Sequence, residues 1–223
     1  MNWFTKFFSS TIGRKLLMSL TGLFLILFLV VHLIGNLQLL KGDEGQSFNI
    51  YAQFMTSNPL IKSVSIVNYA FILLHVAVSI FLTVRNRRAR PEGYAVTRNS
   101  SHWTSRNMGI LGTFIFIFLV IHLRSFWYEM HWGGIPTATY DGTEYKNLYA
   151  VVENAYASVW FVVLYVVSMA LLAFHLFHGF GSAFQTLGLN HIKYNPLIKF
   201  VGVAFAIIVP ALFALIPVYM YFN

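Results

Sequence analysis

Apolar residues run along this chain in five long blocks, at roughly 16–40, 64–84, 108–128, 159–184 and 197–221, with polar segments between them. Crossing a bilayer as an α-helix takes about 20 apolar residues. Each block is long enough, so the pattern predicts an all-α bundle of five transmembrane helices forming one domain over 1–223. Residues 1–15 mix Trp3, Phe7 and Phe8 with Lys6, Arg14 and Lys15, the pattern of a short segment lying in the membrane interface. The stretch SFNIYAQFM after the first block is weakly amphipathic and reads as lying along the surface. Residues 129–157 read as a longer polar loop. Pro210 and Pro217 fall inside the fifth block, where proline is tolerated and is expected to bend the helix.

Composition agrees with the pattern. The chain is 57% apolar and only 10% charged, against about 25% charged in soluble domains. Its net charge of +8 would suggest nucleic acid in a soluble protein. Here the basic residues sit between apolar spans and explain themselves as topology signals, so no nucleic-acid partner is expected. With the N-terminus inside, the N-terminal segment, the second-to-third linker and the fourth-to-fifth loop hold 11 of the 15 Lys and Arg. Basic loops are retained on the cytoplasmic side, which predicts N-terminus in and C-terminus out. The first block is too long for a secretory signal, and no small-residue cleavage site follows it. The absence of cysteine excludes disulfides, thiolate-held iron–sulfur clusters in this chain and covalent haem attachment.

The chemistry lies in histidine. His32, His75, His122 and His175 occupy four different spans, and an ionisable residue inside a span is costly enough to suggest function. Depth follows from the helical rise of about 1.5 Å per residue. His32 comes 17 residues after Lys15 and His122 comes 16 after Arg106, which puts both roughly 25 Å from the inner surface. His75 is 10 residues before Arg85, about 15 Å from that surface, and His175 is late in an inward-running helix. The four therefore sort into an outer pair, His32 with His122, and an inner pair, His75 with His175. Each is followed one turn on by a small residue: Gly35, Ser79, Ser125 and Gly179. Residues three or four apart share a face, so these leave room for something broad and flat beside each imidazole. Facing neutral imidazoles with such room are what a six-coordinate haem requires.

A single intramembrane histidine is more often an interhelical hydrogen-bonding residue than a ligand. Four in four spans at two depths go beyond that reading. His178, one turn past His175, is expected to hydrogen-bond a haem propionate or a neighbouring helix. His102, His131 and His191 are expected in loops. A di-iron enzyme would need several boxes like the one H-x-x-H at His175 and His178. A cytochrome holding both haems on one helix pair would need two well-separated histidines on one helix.

Three segments carry a resemblance: SSTIGRKLLMSLTGLFL ahead of His32, HLIGN starting at His32, and HLFHG from His175 to Gly179. With five spans and this histidine placement, the chain resembles the cytochrome b membrane-anchor subunit of succinate dehydrogenase and fumarate reductase, in its single-chain, two-haem form. In that family a glycine typically stands four residues after the fourth-span histidine, which favours His175 over His178 as ligand. The resemblance implies two haems b on His32, His75, His122 and His175, with His75/His175 proximal and His32/His122 distal. It implies a flavoprotein subunit and an iron–sulfur subunit docked at the cytoplasmic face of a bacterial cytoplasmic membrane. It also implies menaquinone reacting near the distal haem, and it leaves room for a higher oligomer of the complex. The chain would serve the oxidation of succinate without performing it, since it has neither a dinucleotide-binding fingerprint nor cluster cysteines. The basic stretch from Arg85 to Arg106 and the aromatic N-terminus would be docking surface.

There are departures. Some family members have a glutamate just before the fourth-span histidine, serving a proton path; Ala173 and Phe174 stand there instead. On the outer side Asp43, Glu44, Tyr51, Gln53 and Arg124 are polar, but none matches a family quinone residue. Two other readings stay open: a haem b anchor for a formate dehydrogenase or hydrogenase, and a haem-free transporter whose histidines relay protons or contact substrate.

Overall fold

A computed structural model describes residues 2–89 and 103–223. Arg90, Arg98 and His102 lie outside the described residues. Five helices are long and apolar enough to cross a membrane: Thr11–Leu40, Pro59–Arg88, Met108–Trp132, Val159–Thr186 and Asn195–Phe222. They form an all-α membrane bundle. Large apolar side chains such as Leu27, Ile66, Leu73, Val120 and Phe200 are exposed on it, as a lipid-facing surface requires.

The chain opens with α1 (Trp3–Ser9), which turns sharply into α2 (Thr11–Asn36). Ser10 caps α2 by accepting the Gly13 N–H at 3.0 Å. Gly13 is needed at this corner, because a Cβ there would stand 2.1 Å from the Phe7 carbonyl oxygen. A 3₁₀ turn (Leu37–Leu40) finishes the span. Next come α3 (Gln46–Ser57) and α4 (Pro59–Arg88). Asn58 Oδ1 accepts the Leu60 and Ile61 N–H groups, and Pro59 fits the first turn without wasting a donor. This cap starts the helix ahead of the apolar block at 64.

After α5 (Trp103–Arg106) the third span combines α6 (Met108–His122), a π-helical turn (Leu123–Trp127) and α7 (Tyr128–Trp132). A hairpin follows, β1 (Thr137–Tyr140) paired antiparallel with β2 (Thr143–Lys146). Then come α8 (Leu148–Tyr156), α9 (Val159–Thr186) and α10 (Asn195–Phe222). α10 runs unbroken through Pro210 and Pro217, both buried.

Four spans form a square: α2 packs on α4, α4 on α6, α6 on α9 and α9 on α2. α2 therefore faces α6, and α4 faces α9, across the middle. α10 lies outside the square against α9 and α2. Cross-helix contacts fix the direction of each span. Arg14 sits over the Phe81 ring at 3.9 Å, and Phe24 meets Phe71 at 4.8 Å, so the start of α2 is beside the end of α4. One end of the bundle thus collects α1, the arginines closing α4 and the α9–α10 turn; we call it the basic end.

The other end is covered by α3, the hairpin and α8, which corrects two expectations. The SFNIYAQFM stretch does not merely lie on a surface, because Phe48, Asn49 and Ala52 of α3 are buried. Residues 129–157 are not an open loop either, and His131 sits in α7. Asn49, with no exposed surface, holds this cap together. It donates to the Tyr140 hydroxyl and to Asn147 Oδ1, both at 2.9 Å, and accepts the Tyr149 N–H at 2.9 Å. Burying a polar side chain is tolerable only when its hydrogen bonds are met, and here one amide ties three segments far apart in sequence.

Candidate functional site

The square brings the four span histidines together across its diagonals. His32 of α2 and His122 of α6 have ring centres 5.7 Å apart, at 89°. His75 of α4 and His175 of α9 have ring centres 6.4 Å apart, at 66°. All four residues are half-buried. On α2, His75 is level with Thr21, and Thr21 is 11 residues from His32. The two pairs therefore lie about 16 Å apart along the bundle.

Hydroxyls from neighbouring helices hold two of the rings. Thr21 Oγ1 lies 3.0 Å from His75 Nδ1 and also 2.8 Å from the Leu17 carbonyl oxygen. With the hydroxyl proton on that carbonyl, the threonine oxygen would accept the His75 Nδ1 proton. This tautomer leaves the lone pair on Nε2, the form that ligates metals. His122 Nδ1 lies 3.1 Å from the Tyr165 hydroxyl, which can donate or accept. His32 is approached by Asn36 Nδ2 at 3.4 Å from each ring nitrogen. His175 Nδ1 is buried and has no hydrogen-bond partner among the described residues.

The small residues beside the histidines behave differently from one another. A Cβ on Gly179 would meet nothing within 4 Å, so space is open one turn from His175. Gly35 is otherwise. A Cβ there would be 2.5 Å from Tyr51 Cε1, because α3 packs its tyrosine into that gap. The expected room beside His32 is filled on that side. Ser125 also leaves its expected register, since it falls in the wider π turn directly after His122. Such turns are frequent at functional sites, and no residue pattern announced this one.

The other described histidines fall outside the two pairs. His178 lines a cavity between α9 and α10. His131 Nδ1 lies 2.8 Å from the Trp127 carbonyl oxygen, and His191 is in the α9–α10 turn. Of the polar residues at the capped end, Arg124 pairs with Glu129 and lies over the Tyr128 ring at 4.4 Å. Burial pushes the Asp43 carboxyl up, but hydrogen bonds from the Ser47 side chain and backbone outweigh it and hold the group below its ordinary value. Asp43 thus serves the start of α3, accepting the Ser47 N–H at 3.0 Å. Burial raises the Tyr51 hydroxyl above its ordinary value.

The donor set fits a bis-imidazole centre. Two imidazoles on opposite faces of one metal ion, each bonded at about 2 Å, hold their ring centres roughly 6 Å apart. Both pairs have that spacing. Among the described residues no three His, Cys, Asp or Glu converge on one point. The unpartnered His175 Nδ1 carries a cost of about 1–3 kcal/mol. Comparison with protein families, curated proteins and solved structures finds no match to this chain.

Proposed function

We propose that this chain is a dihaem cytochrome b that carries electrons through a bacterial cytoplasmic membrane as the anchor of a succinate:quinone oxidoreductase. The observation that carries the reading is the pair of diagonal histidine contacts, His32–His122 and His75–His175, at two levels of one four-helix square. Bound there, each haem supplies a one-electron couple set by its axial ligands and surroundings. The chain's own residues supply the imidazoles, fix the His75 tautomer through Thr21 and exclude water with the aromatic packing above His122. The level separation of about 16 Å makes a two-stop route along the bundle axis.

The choice of dehydrogenase rests on the motifs before and at His32 and at His175–Gly179. In this reading the basic end faces the cytoplasm and receives the iron–sulfur subunit, with the flavoprotein subunit beyond it. His75/His175 is then the proximal centre. His32/His122 is the distal one, near which menaquinone reacts.

A reduced-minus-oxidised visible spectrum of the purified full chain, with haem counted per polypeptide, tests the reading. Two low-spin haems b per chain are expected. One haem would break the two-centre assignment. None, in a folded and haem-supplied preparation, would favour a haem-free transporter. Co-purification with a formate dehydrogenase or hydrogenase instead of the succinate enzyme would keep the cytochrome and change its partner.

A further inference from the structure

We propose that a groove between α9 and α10 at the basic end binds one acidic phospholipid, with its phosphate at Lys199 and an acyl chain running past Phe177 toward Ala206. The groove has two adjoining compartments. A cavity of about 510 Å³ opens where α5, α9 and α10 meet, and Gln185, Asn190 and Lys199 are among its lining residues. A second cavity of about 210 Å³ is lined by Ala173, Phe174, Phe177, Ala206, Ile207 and Thr104. Thr104 and Phe177 border both. A mouth at a helix end that sets a lysine and amides among apolar residues, leading into an apolar slot toward mid-bundle, has the shape and polarity of a lipid headgroup and tail.

A further feature points to an occupant. Thr104 is only 7% exposed, and its Oγ1 has no hydrogen-bond partner among the described residues. A buried hydroxyl without a partner costs about 1–3 kcal/mol, and it stands at the junction of the two compartments, where a lipid's ester oxygens would lie. Gly181 lines the mouth, and a Cβ there would meet nothing within 4 Å. His178, one turn along α9 from His175, also lines the mouth, while the phenylalanines there turn away from the histidine pair. At 100° per residue, Phe177 and Phe184 leave α9 on the side roughly opposite His175.

Charge selects the class of lipid. Lys199 is exposed in the first turns of α10, where a lysine can extend its ammonium into the headgroup layer. Among the described residues no carboxylate lines either cavity. A zwitterionic headgroup would bring its own ammonium toward Lys199 with no acid to receive it. A phosphate carrying net negative charge finds the Lys199 ammonium with amide side chains beside it, as in basic pockets between membrane helices that hold acidic lipids.

The full chain, reconstituted in vesicles of equal phosphatidylglycerol and phosphatidylcholine and then re-extracted in mild detergent, tests this. Lipid retained per chain is read by mass spectrometry, with helicity and gel filtration confirming the fold. Phosphatidylglycerol should be enriched about fivefold over phosphatidylcholine, the factor expected of roughly 1 kcal/mol from one lysine near the surface. Lys199→Glu should abolish that preference. Gly181→Leu, which fills the mouth from a position with free space, should lower total retention. The proposal is overturned if the two lipids are retained equally, or if both variants hold phosphatidylglycerol like the parent. It is also overturned if the molecule displaced by Gly181→Leu is a quinone.

Discussion

Around His32 and His122 the bundle is filled with aromatic rings, whereas small and hydroxyl-bearing residues line the space around His75 and His175. Phe28 stacks on His32 at 5.2 Å, and Phe213 approaches it at 5.6 Å. Phe118, Phe126 and Tyr165 surround His122 at 5.6–6.1 Å. Phe126 and Tyr165 belong to a core that continues into the cap through Phe48, Val152 and Tyr156. The other pair meets Thr21 and Gly22 on α2, with open space at Gly179. Aromatic packing makes the first site rigid and tied to the cap. The second is shaped by what is missing from its walls, and its one orphaned nitrogen belongs to His175. The two sites should therefore fail in different ways.

The largest effect is expected at the open site. His175→Ala should remove one whole haem equivalent, that of the basic-end pair, and leave the spectrum of the other. Haem counted per chain before and after checks this; retention of both haems would end the pairing assignment. His178→Ala is the control, and haem content should stay near two. Equal loss from the two variants would mean that the wrong member of H-x-x-H was chosen. Next in size is Asn49→Ala, which breaks three hydrogen bonds of a fully buried amide. At about 1 kcal/mol each, the cap should lose on the order of 3 kcal/mol, visible as a lower melting temperature. The His32/His122 haem should become easier to extract while the other is unchanged, and equal effects on both would erase the contrast between the sites.

Glycine offers a sharper version of the same comparison. Gly35→Ala must displace the Tyr51 ring and should cost about 1–3 kcal/mol, as overpacking does. Gly179→Ala meets no atom, and in the haem-free chain it should gain up to about 1 kcal/mol from helix propensity. Thermal melts of the two variants, with and without haem, measure the difference. A Gly179→Ala chain that is destabilised without haem would show that the space there is already filled.

The five spans were legible because lipid-facing helices leave long apolar blocks that nothing else in a chain imitates. The histidine pairs were legible because helical rise is constant, so residues counted from flanking charges measure depth. What escaped was everything set by contact between distant segments. The cap depends on Asn49 finding Tyr140, Asn147 and Tyr149, and no local pattern marks a polar residue that will be satisfied 91 to 100 positions away. The helix and hairpin between 129 and 157 read as loop because their polarity reflects life at a membrane surface. Gly35 read as space because a glycine reports the missing side chain and not the Tyr51 that takes its place. Thr21 is an ordinary helix residue until α4 brings His75 to it.

Thr21 and Tyr165 give the finest test of the contrast. Each hydroxyl stands beside the Nδ1 of a proposed ligand, and losing such a partner typically costs 10–100-fold in metal affinity. The two are not equivalent. The Leu17 carbonyl at 2.8 Å favours the Thr21 oxygen as acceptor from His75, and Thr21→Val then strands the Nδ1 proton in the bundle. The Tyr165 hydroxyl can rotate between donor and acceptor, so it holds the His122 tautomer less firmly, and the surrounding rings keep that imidazole in place. Thr21→Val should therefore accelerate haem loss from the His75/His175 pair by about tenfold, and Thr21→Ser should restore it. Tyr165→Phe should change haem loss at the other pair by less, while shifting its midpoint potential through the altered imidazole. Haem-transfer rates and redox titration of the two variants separate these outcomes. A larger loss from Tyr165→Phe than from Thr21→Val would mean that the hydroxyl, and not the aromatic packing, holds the capped site.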